Sequence, residues 1–136
     1  MRRMILAALV AACGPVAASA EPAIEKVSFQ PQVKGLSCLK PEALAMVREL
    51  TETIGEIEIT STCGGRHARR SQHYAGRAID FRPLQVSARA AARAARSIAN
   101  VGGVGTYSNG LVHVDVGERV ANWHGRGKRS RVAYNR

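Results

Sequence analysis

Hydrophobic residues recur at helical spacing in two segments of the chain. In the first segment, Pro41 stands at an expected first helical position, apolar residues follow at successive turns, and Gly55 ends the run. Its apolar positions are Ala43, Val47, Leu50 and Ile54. In the second segment, Ser87 can cap a helix over residues 86–99, where alanine fills most positions. Both segments therefore predict amphipathic helices that pack against a core.

Strands are predicted where polar and apolar residues alternate or where glycine is abundant. Residues 57–60 alternate like a half-buried strand, and residues 78–82 form a second strand segment that ends before a proline. The glycine-rich residues 101–107 predict a strand that other atoms approach closely. Ser108-Asn-Gly110 favours a hairpin turn, and residues 111–116 then form the second arm. These segments predict one domain without an internal repeat.

The first twenty residues are typical of an export signal. Two arginines are followed by an apolar run over residues 4–12, which is too short to span a bilayer, and by a small-residue cleavage site at Ala18-Ser-Ala20. The stretch from Leu9 to Cys13 resembles a bacterial lipoprotein box, which would make Cys13 a lipidated N-terminus and associate the protein with the membrane. Simple secretion and lipidation both stay open. Either route predicts a periplasmic or cell-envelope location.

After residues 1–20, three further segments can be distinguished. Residues 21–37 contain two prolines and predict an extended lead-in. The folded domain is expected over residues 38–123. Residues 124–136 are basic and predict a mobile or surface-lying tail.

Cys38 and Cys63 remain once the signal is removed. An even pair in an oxidising compartment predicts a disulfide, which would stabilise the fold by roughly 3 kcal/mol in the chain-entropy model. The alternative is that both thiols bind metal, although no Cys-x-x-Cys spacing is present.

The charge balance is strongly basic. The formal net charge is +10, and without the two arginines of the signal 18 basic residues still face 10 acidic ones. Such an excess predicts a polyanionic partner. For an exported protein, the cell wall and anionic lipid rank above nucleic acid. One hypothesis is therefore an exported basic protein that binds anionic polymer without a metal.

Two short stretches hold the residues that can bind a metal ion. His73 and Asp80 lie seven residues apart, and the only other aspartate, Asp115, follows His113 by two residues. Alternate residues of a strand share a face, so His113 and Asp115 are expected to project to the same side. Two imidazoles and one carboxylate around an ion with an open fourth position are typical of a catalytic zinc site.

These stretches resemble the motifs of the zinc D-alanyl-D-alanine carboxypeptidase and hedgehog-like peptidase superfamily. The first motif is Ser71-x-His73-x-x-Gly76-x-Ala78-x-Asp80, and the second is Val112-His-Val-Asp115, followed by Trp123. The similarity extends over residues 38–123. It implies a small single α+β domain, in which an antiparallel sheet flanked by helices holds the metal.

The resemblance also implies a ligand set and a substrate. His73, Asp80 and His113 would bind one Zn²⁺ per chain, with Ser71 and Gly76 as supporting motif positions. The substrate would be peptide stems of peptidoglycan, cut at D-amino-acid bonds by a carboxypeptidase or an endopeptidase. Members commonly have an arginine after a Thr-Ser strand end that stabilises the charged intermediate. Arg66 is the nearest match here.

The usual general base is missing. Many active relatives have a proton acceptor two or three residues before the last zinc histidine, where this chain has Leu111 and Gly110. Asp115 can replace it as the base or can instead orient an imidazole. Glu118 and His124 are more distant candidates. The sequence therefore supports an exported zinc peptidase and, alternatively, a catalytically silent zinc-containing domain of the same fold that binds the cell wall.

Overall fold

The computed structural model describes residues 24–64 and 71–126. They form a six-stranded sheet and two helices, so the expected α+β class is confirmed. The elements are β1 (Val27–Phe29), α1 (Pro41–Ile54), β2 (Ile57–Ser61), β3 (Ala78–Pro83), α2 (Ala88–Arg96), β4 (Gly103–Tyr107), β5 (Val112–Asp115) and β6 (Ala121–Gly125). The expected export signal with Cys13, the residue Arg66 and positions 127–136 of the expected tail lie outside the described residues.

The strand order in the sheet is β1-β2-β3-β5-β4-β6. The four central strands pair antiparallel, as expected, whereas each edge strand pairs in parallel with its neighbour. The edge strands come from segments in which the sequence predicted no strand. β1 belongs to the expected lead-in, and β6 continues through Gly125, two residues into the expected tail.

Local sequence explains the helix boundaries. α1 begins at Pro41, as predicted, and Gly55 caps it at a positive φ of 81° with its N–H donating to the Thr51 carbonyl. α2 begins after Ser87, whose hydroxyl accepts the Ala90 N–H. It ends at Arg96, earlier than predicted, because the chain then turns toward β4. Neither helix in the described ranges has the length and apolar character needed to cross a membrane.

Both helices contribute to one hydrophobic core against a single face of the sheet. The alternation in β3 and β5 directs Ile79, Phe81, Val112 and Val114 into this core, where all four are fully buried. α1 adds Met46, Val47 and Leu50, and α2 adds Ala91, Ala92 and Ala95. The intervening residues of β3 and β5 therefore project from the opposite face, which neither helix covers.

Candidate metal centre

His73, Asp80 and His113 bring three ligand atoms together on the uncovered face of the sheet. His73 Nε2 lies 3.2 Å from Asp80 Oδ1 and 3.2 Å from His113 Nδ1, and Asp80 Oδ1 lies 2.8 Å from His113 Nδ1. A tetrahedral zinc ion with bonds of about 2.0–2.1 Å separates its ligand atoms by about 3.3–3.4 Å. Two of the observed spacings are close to this value and the third, between Asp80 and His113, is shorter by about half an ångström, so a small separation of these two side chains would fit a zinc ion.

Two of the three side chains are placed by direct strand pairing. Asp80 of β3 is the register partner of His113 in β5, so both project from the same face. His73 comes from a turn in which the Gln72 carbonyl accepts the N–H groups of Ala75 and Arg77. The site therefore combines two residues on central strands with one on a turn.

A backbone carbonyl fixes the ring of His73. His73 Nδ1 lies 2.5 Å from the Thr62 carbonyl oxygen, which can only accept a hydrogen bond. His73 Nδ1 therefore carries the proton, and the lone pair of Nε2 faces Asp80 and His113. A hydrogen bond of this kind sets the tautomer of many metal-binding histidines.

Asp115 fixes the ring of His113 from the side away from the other ligand atoms. His113 Nε2 donates to Asp115 Oδ2 at 3.0 Å, which leaves Nδ1 directed at Asp80. The other oxygen, Oδ1, accepts the backbone N–H groups of Gly103 at 2.9 Å and Gly117 at 2.8 Å. Both carboxylate oxygens of this buried residue are thus used in holding it and the imidazole in place.

The charged groups of the site shift one another's pKa values. Burial opposes the charge of Asp80, but its interactions with His113 and His73 outweigh this effect and lower the pKa to about 2. Burial likewise opposes the charge of His113, but hydrogen bonds to Asp115 and Asp80 raise its pKa to about 9. For Asp115, burial is outweighed by hydrogen bonds from His113, Gly103 and Gly117, which lower its pKa. Without a metal, these groups favour a protonated His113 between two carboxylates.

His73, Asp80 and His113, the three candidate metal ligands, line an open cavity of about 450 Å³. Tyr107 and Trp123 form part of its wall, and the Trp123 indole N–H donates to the Tyr107 hydroxyl at 3.2 Å. The Trp123 ring lies with its centroid 5.1 Å from that of His113.

A Cβ at Gly105 would lie 2.4 Å from the Trp123 indole, so β4 needs glycine there. The predicted close approach to the glycine-rich strand is confirmed.

A second hollow of about 460 Å³ adjoins the metal cavity, with which it shares Gln72, Asp115 and Trp123 in its lining. It is lined by the charged side chains Arg77, Glu118 and Arg119. Arg77 also lies 3.5 Å from Glu42, and both side chains are about half exposed. The cavity therefore continues into a surface that can receive charged groups.

The remaining predicted positions are distributed around this centre. Ser71 lines the metal cavity, and Gly76 adopts a positive φ of 68° in the turn that follows His73. Glu118 lies in the adjoining hollow. His124 pairs with Thr106, one position along from the Gly105 and Trp123 pair, and it therefore projects from the opposite face.

The predicted disulfide between Cys38 and Cys63 is present, so these two sulfurs are bonded to each other instead of serving as metal ligands.

Sequence reasoning missed two features of the site. The Thr62 carbonyl is a backbone group without a sequence signal, whereas Tyr107 could have been found because it alternates with Gly103 and Gly105 on one face of β4.

Comparison with known proteins gives one result that bears on this geometry. No curated protein matches the chain at a significant level. A family model described as peptidoglycan L,D-endopeptidase MepK matches residues 47–123, more than half of the 136 residues. The matched segment contains His73, Asp80 and His113 together with Trp123. The chain therefore belongs to the M15 peptidase family to which this peptidoglycan endopeptidase model refers.

Proposed function

We propose that this protein is an exported, zinc-dependent endopeptidase that cleaves L,D-peptide bonds in peptidoglycan. The observation that carries the proposal is the convergence of one potential ligand atom each from His73, Asp80 and His113 in an open cavity. The family description favours an endopeptidase over the carboxypeptidase that the sequence also allowed. The disulfide supports export, because such bonds persist in oxidising compartments.

A zinc ion held by these three residues would polarise the scissile carbonyl and make a water molecule more acidic. The protein would hold the two imidazole rings of the site in fixed orientations. The Thr62 carbonyl holds His73, and Asp115 holds His113, so neither imidazole needs to reorient when its ligand nitrogen is used. We assign Asp115 this positioning role in preference to the role of general base, because both of its oxygens are already hydrogen-bonded.

The surroundings of the site suit a peptide of the cell wall. Trp123 and Tyr107 provide an apolar wall beside the ligand residues, against which a peptide backbone can pack. Beyond Trp123, the guanidinium groups of Arg77 and Arg119 can bind free carboxylates of a stem peptide. This combination supports peptidoglycan as the polyanionic partner. Two of the basic residues of the chain, Arg77 and Arg119, would then bind its carboxylates.

A direct test is to incubate the zinc-loaded mature protein with purified peptidoglycan and to identify the released peptides by mass spectrometry. We expect one new free amine for each cleaved L,D bond. The matched control is Asp80→Asn, which keeps the size of the side chain but removes the carboxylate from the ligand set. Release of single terminal residues only would indicate a carboxypeptidase and would contradict the endopeptidase assignment.

One observation favours the catalytically silent alternative. Among the described residues that line the metal cavity, the only imidazoles and carboxylates are the three ligand residues and Asp115. A silent domain would bind peptidoglycan tightly in a pull-down assay, retain stoichiometric zinc and release no peptide from any stem. That result would replace the proposed peptidase with a wall-binding function for the same site.

A further inference from the structure

We infer that the Cys38–Cys63 disulfide positions His73, so that reduction of this bond lowers the affinity of the site for zinc. The inference rests on the proposed zinc site and adds a redox requirement to it. Two sets of contacts connect the disulfide to His73: the Thr62 carbonyl, next to Cys63, and the packing of Gly76 on the segment that contains Cys38.

The first connection is next to Cys63. The residue before it, Thr62, is buried and supplies the carbonyl that fixes His73 Nδ1 at 2.5 Å. β2 ends at Ser61, so Thr62 and Cys63 lie just beyond the hydrogen-bonded ladder of the sheet. Cys38 Sγ lies 3.7 Å from the Thr62 hydroxyl. Strand pairing does not extend to Thr62, so the adjacent disulfide holds this residue in place.

The second connection is next to Cys38. The turn after His73 closes when the Gly76 N–H donates to the His73 carbonyl at 3.1 Å. The Gly76 carbonyl then accepts the Lys40 N–H at 2.8 Å. A Cβ on Gly76 would lie 2.6 Å from the Cys38 carbonyl oxygen, so the turn packs directly on the backbone of Cys38.

His73 is thus held between two segments, one at Thr62 and one at residues 38–40, and the disulfide joins these segments covalently. Asp80 and His113 differ, because strand pairing at the centre of the sheet holds them. Two-electron reduction by a thiol or phosphine breaks the S–S bond, leaves two thiols and oxidises the reductant. We expect His73 to lose its fixed position while the other two ligands keep theirs.

The test compares zinc affinity in the oxidised protein and in the double variant Cys38→Ser/Cys63→Ser, by competition with a chromophoric chelator. The double variant is preferred to reduced protein because free thiols could themselves bind zinc. We expect its affinity to fall by about 10- to 100-fold, the range found when the groups that orient a metal ligand are removed. The absorption spectrum of the cobalt-substituted protein should change as well, because the ligand geometry changes.

A core variant separates positioning from general stability. Val47→Ala removes volume from a fully buried position on α1, remote from the ligands. It should lower the thermal midpoint and leave the zinc affinity and the cobalt spectrum unchanged. The inference is wrong if the double variant binds zinc as tightly as the oxidised protein, or if Val47→Ala weakens zinc binding to the same extent.

A second variant covers the case in which the double variant does not fold. Gly76→Ala keeps the disulfide but forces the turn away from Cys38, and its zinc affinity should also fall. Unchanged affinity in Gly76→Ala would then overturn the inference. Failure of the proposed function gives different results: without a zinc site the oxidised wild-type protein would itself bind no zinc, and a catalytically silent domain would bind zinc and release no peptide, which leaves the comparison of zinc affinities intact.

Discussion

At the scale of single residues, Asp115 supports the site through both of its carboxylate oxygens without contributing a ligand atom to the cluster. Its Oδ2 accepts from His113, and its Oδ1 accepts from the backbone of Gly103 and Gly117. These two glycines also leave the space that the carboxylate occupies, since a Cβ on either one would come within 3 Å of it. Asp115 thereby links β5 to the start of β4 and to the turn after β5.

Asp115→Asn is expected to weaken both zinc binding and stability. An amide cannot accept on both sides, so either His113 or the two backbone N–H groups lose their acceptor, at a cost of about 1–3 kcal/mol. We expect zinc affinity to fall by roughly 10- to 100-fold. The measurements are chelator competition and thermal unfolding, with Glu118→Gln as an exposed control. Unchanged zinc affinity with a large loss of kcat would instead identify Asp115 as the general base.

Zinc binding is expected to release a proton from His113. The pKa of His113 is raised from 6.5 to about 9 in the metal-free protein, so at pH 7.5 a proton occupies a ligand nitrogen. Zinc must displace it, and the apparent zinc affinity should rise about tenfold per pH unit below this pKa. Titration calorimetry in buffers of different ionisation enthalpy measures the proton. No dependence on the buffer would contradict the prediction.

The raised pKa of His113 also makes the stability of the metal-free protein depend on pH, but this stability falls with rising pH whereas the zinc affinity rises. The folded pKa of His113 lies above the unfolded value, so the contribution of its ion pairs is complete below about pH 6.5 and is lost as the pH rises toward 9. Higher pH therefore favours the zinc-bound form and destabilises the metal-free form.

At the scale of elements, β4 determines the shape of the cavity wall. Gly105 is the register partner of both His113 and Trp123, and the absence of a side chain there allows the indole to lie on the strand. The helices and central strands could be predicted from periodicity, because burial on one face imposes it. β1 and β6 are short, mostly exposed edge strands, so no alternation revealed them.

Gly105→Ala is expected to displace the Trp123 indole. The new methyl group would lie 2.4 Å from the ring, and relief of such overpacking costs about 1–3 kcal/mol. The thermal midpoint should fall, and KM for peptidoglycan peptides should rise because the wall of the cavity moves. Gly64→Ala is the matched control, since a Cβ there has no atom within 4 Å. Equal behaviour of the two variants would show that the indole does not depend on Gly105.

At the scale of the whole molecule, the sheet separates the hydrophobic core from the candidate metal site. One face packs on the helices and supplies the core, and the other carries the candidate ligand residues and the adjoining hollow. Strand alternation in the sequence placed His113 and Asp115 on one side of their strand, and only the resemblance to the zinc peptidases added His73 and Asp80 to them. The sequence could not show that a carbonyl from the end of β2 would hold His73, because that contact depends on the tertiary path of the backbone.

Arg119→Ala is expected to raise KM for anionic stem peptides by about fivefold, which corresponds to an exposed ion pair of about 1 kcal/mol. Its effect on kcat should be small, because Arg119 lies in the adjoining hollow and outside the ligand set. Arg89→Ala, on the exposed face of α2, removes the same charge at a remote position and serves as the control. The assignment of the hollow fails if both variants change KM equally.

The position of Trp123 gives the protein an internal optical reporter. It is the only tryptophan in the chain, and its ring stands beside His113. Protonated imidazole is a quencher of indole emission, so displacement of the His113 proton by a spectroscopically silent d¹⁰ ion such as zinc should brighten the fluorescence. The occupancy of the centre could then be followed in the unlabelled protein, in real time and without a substrate.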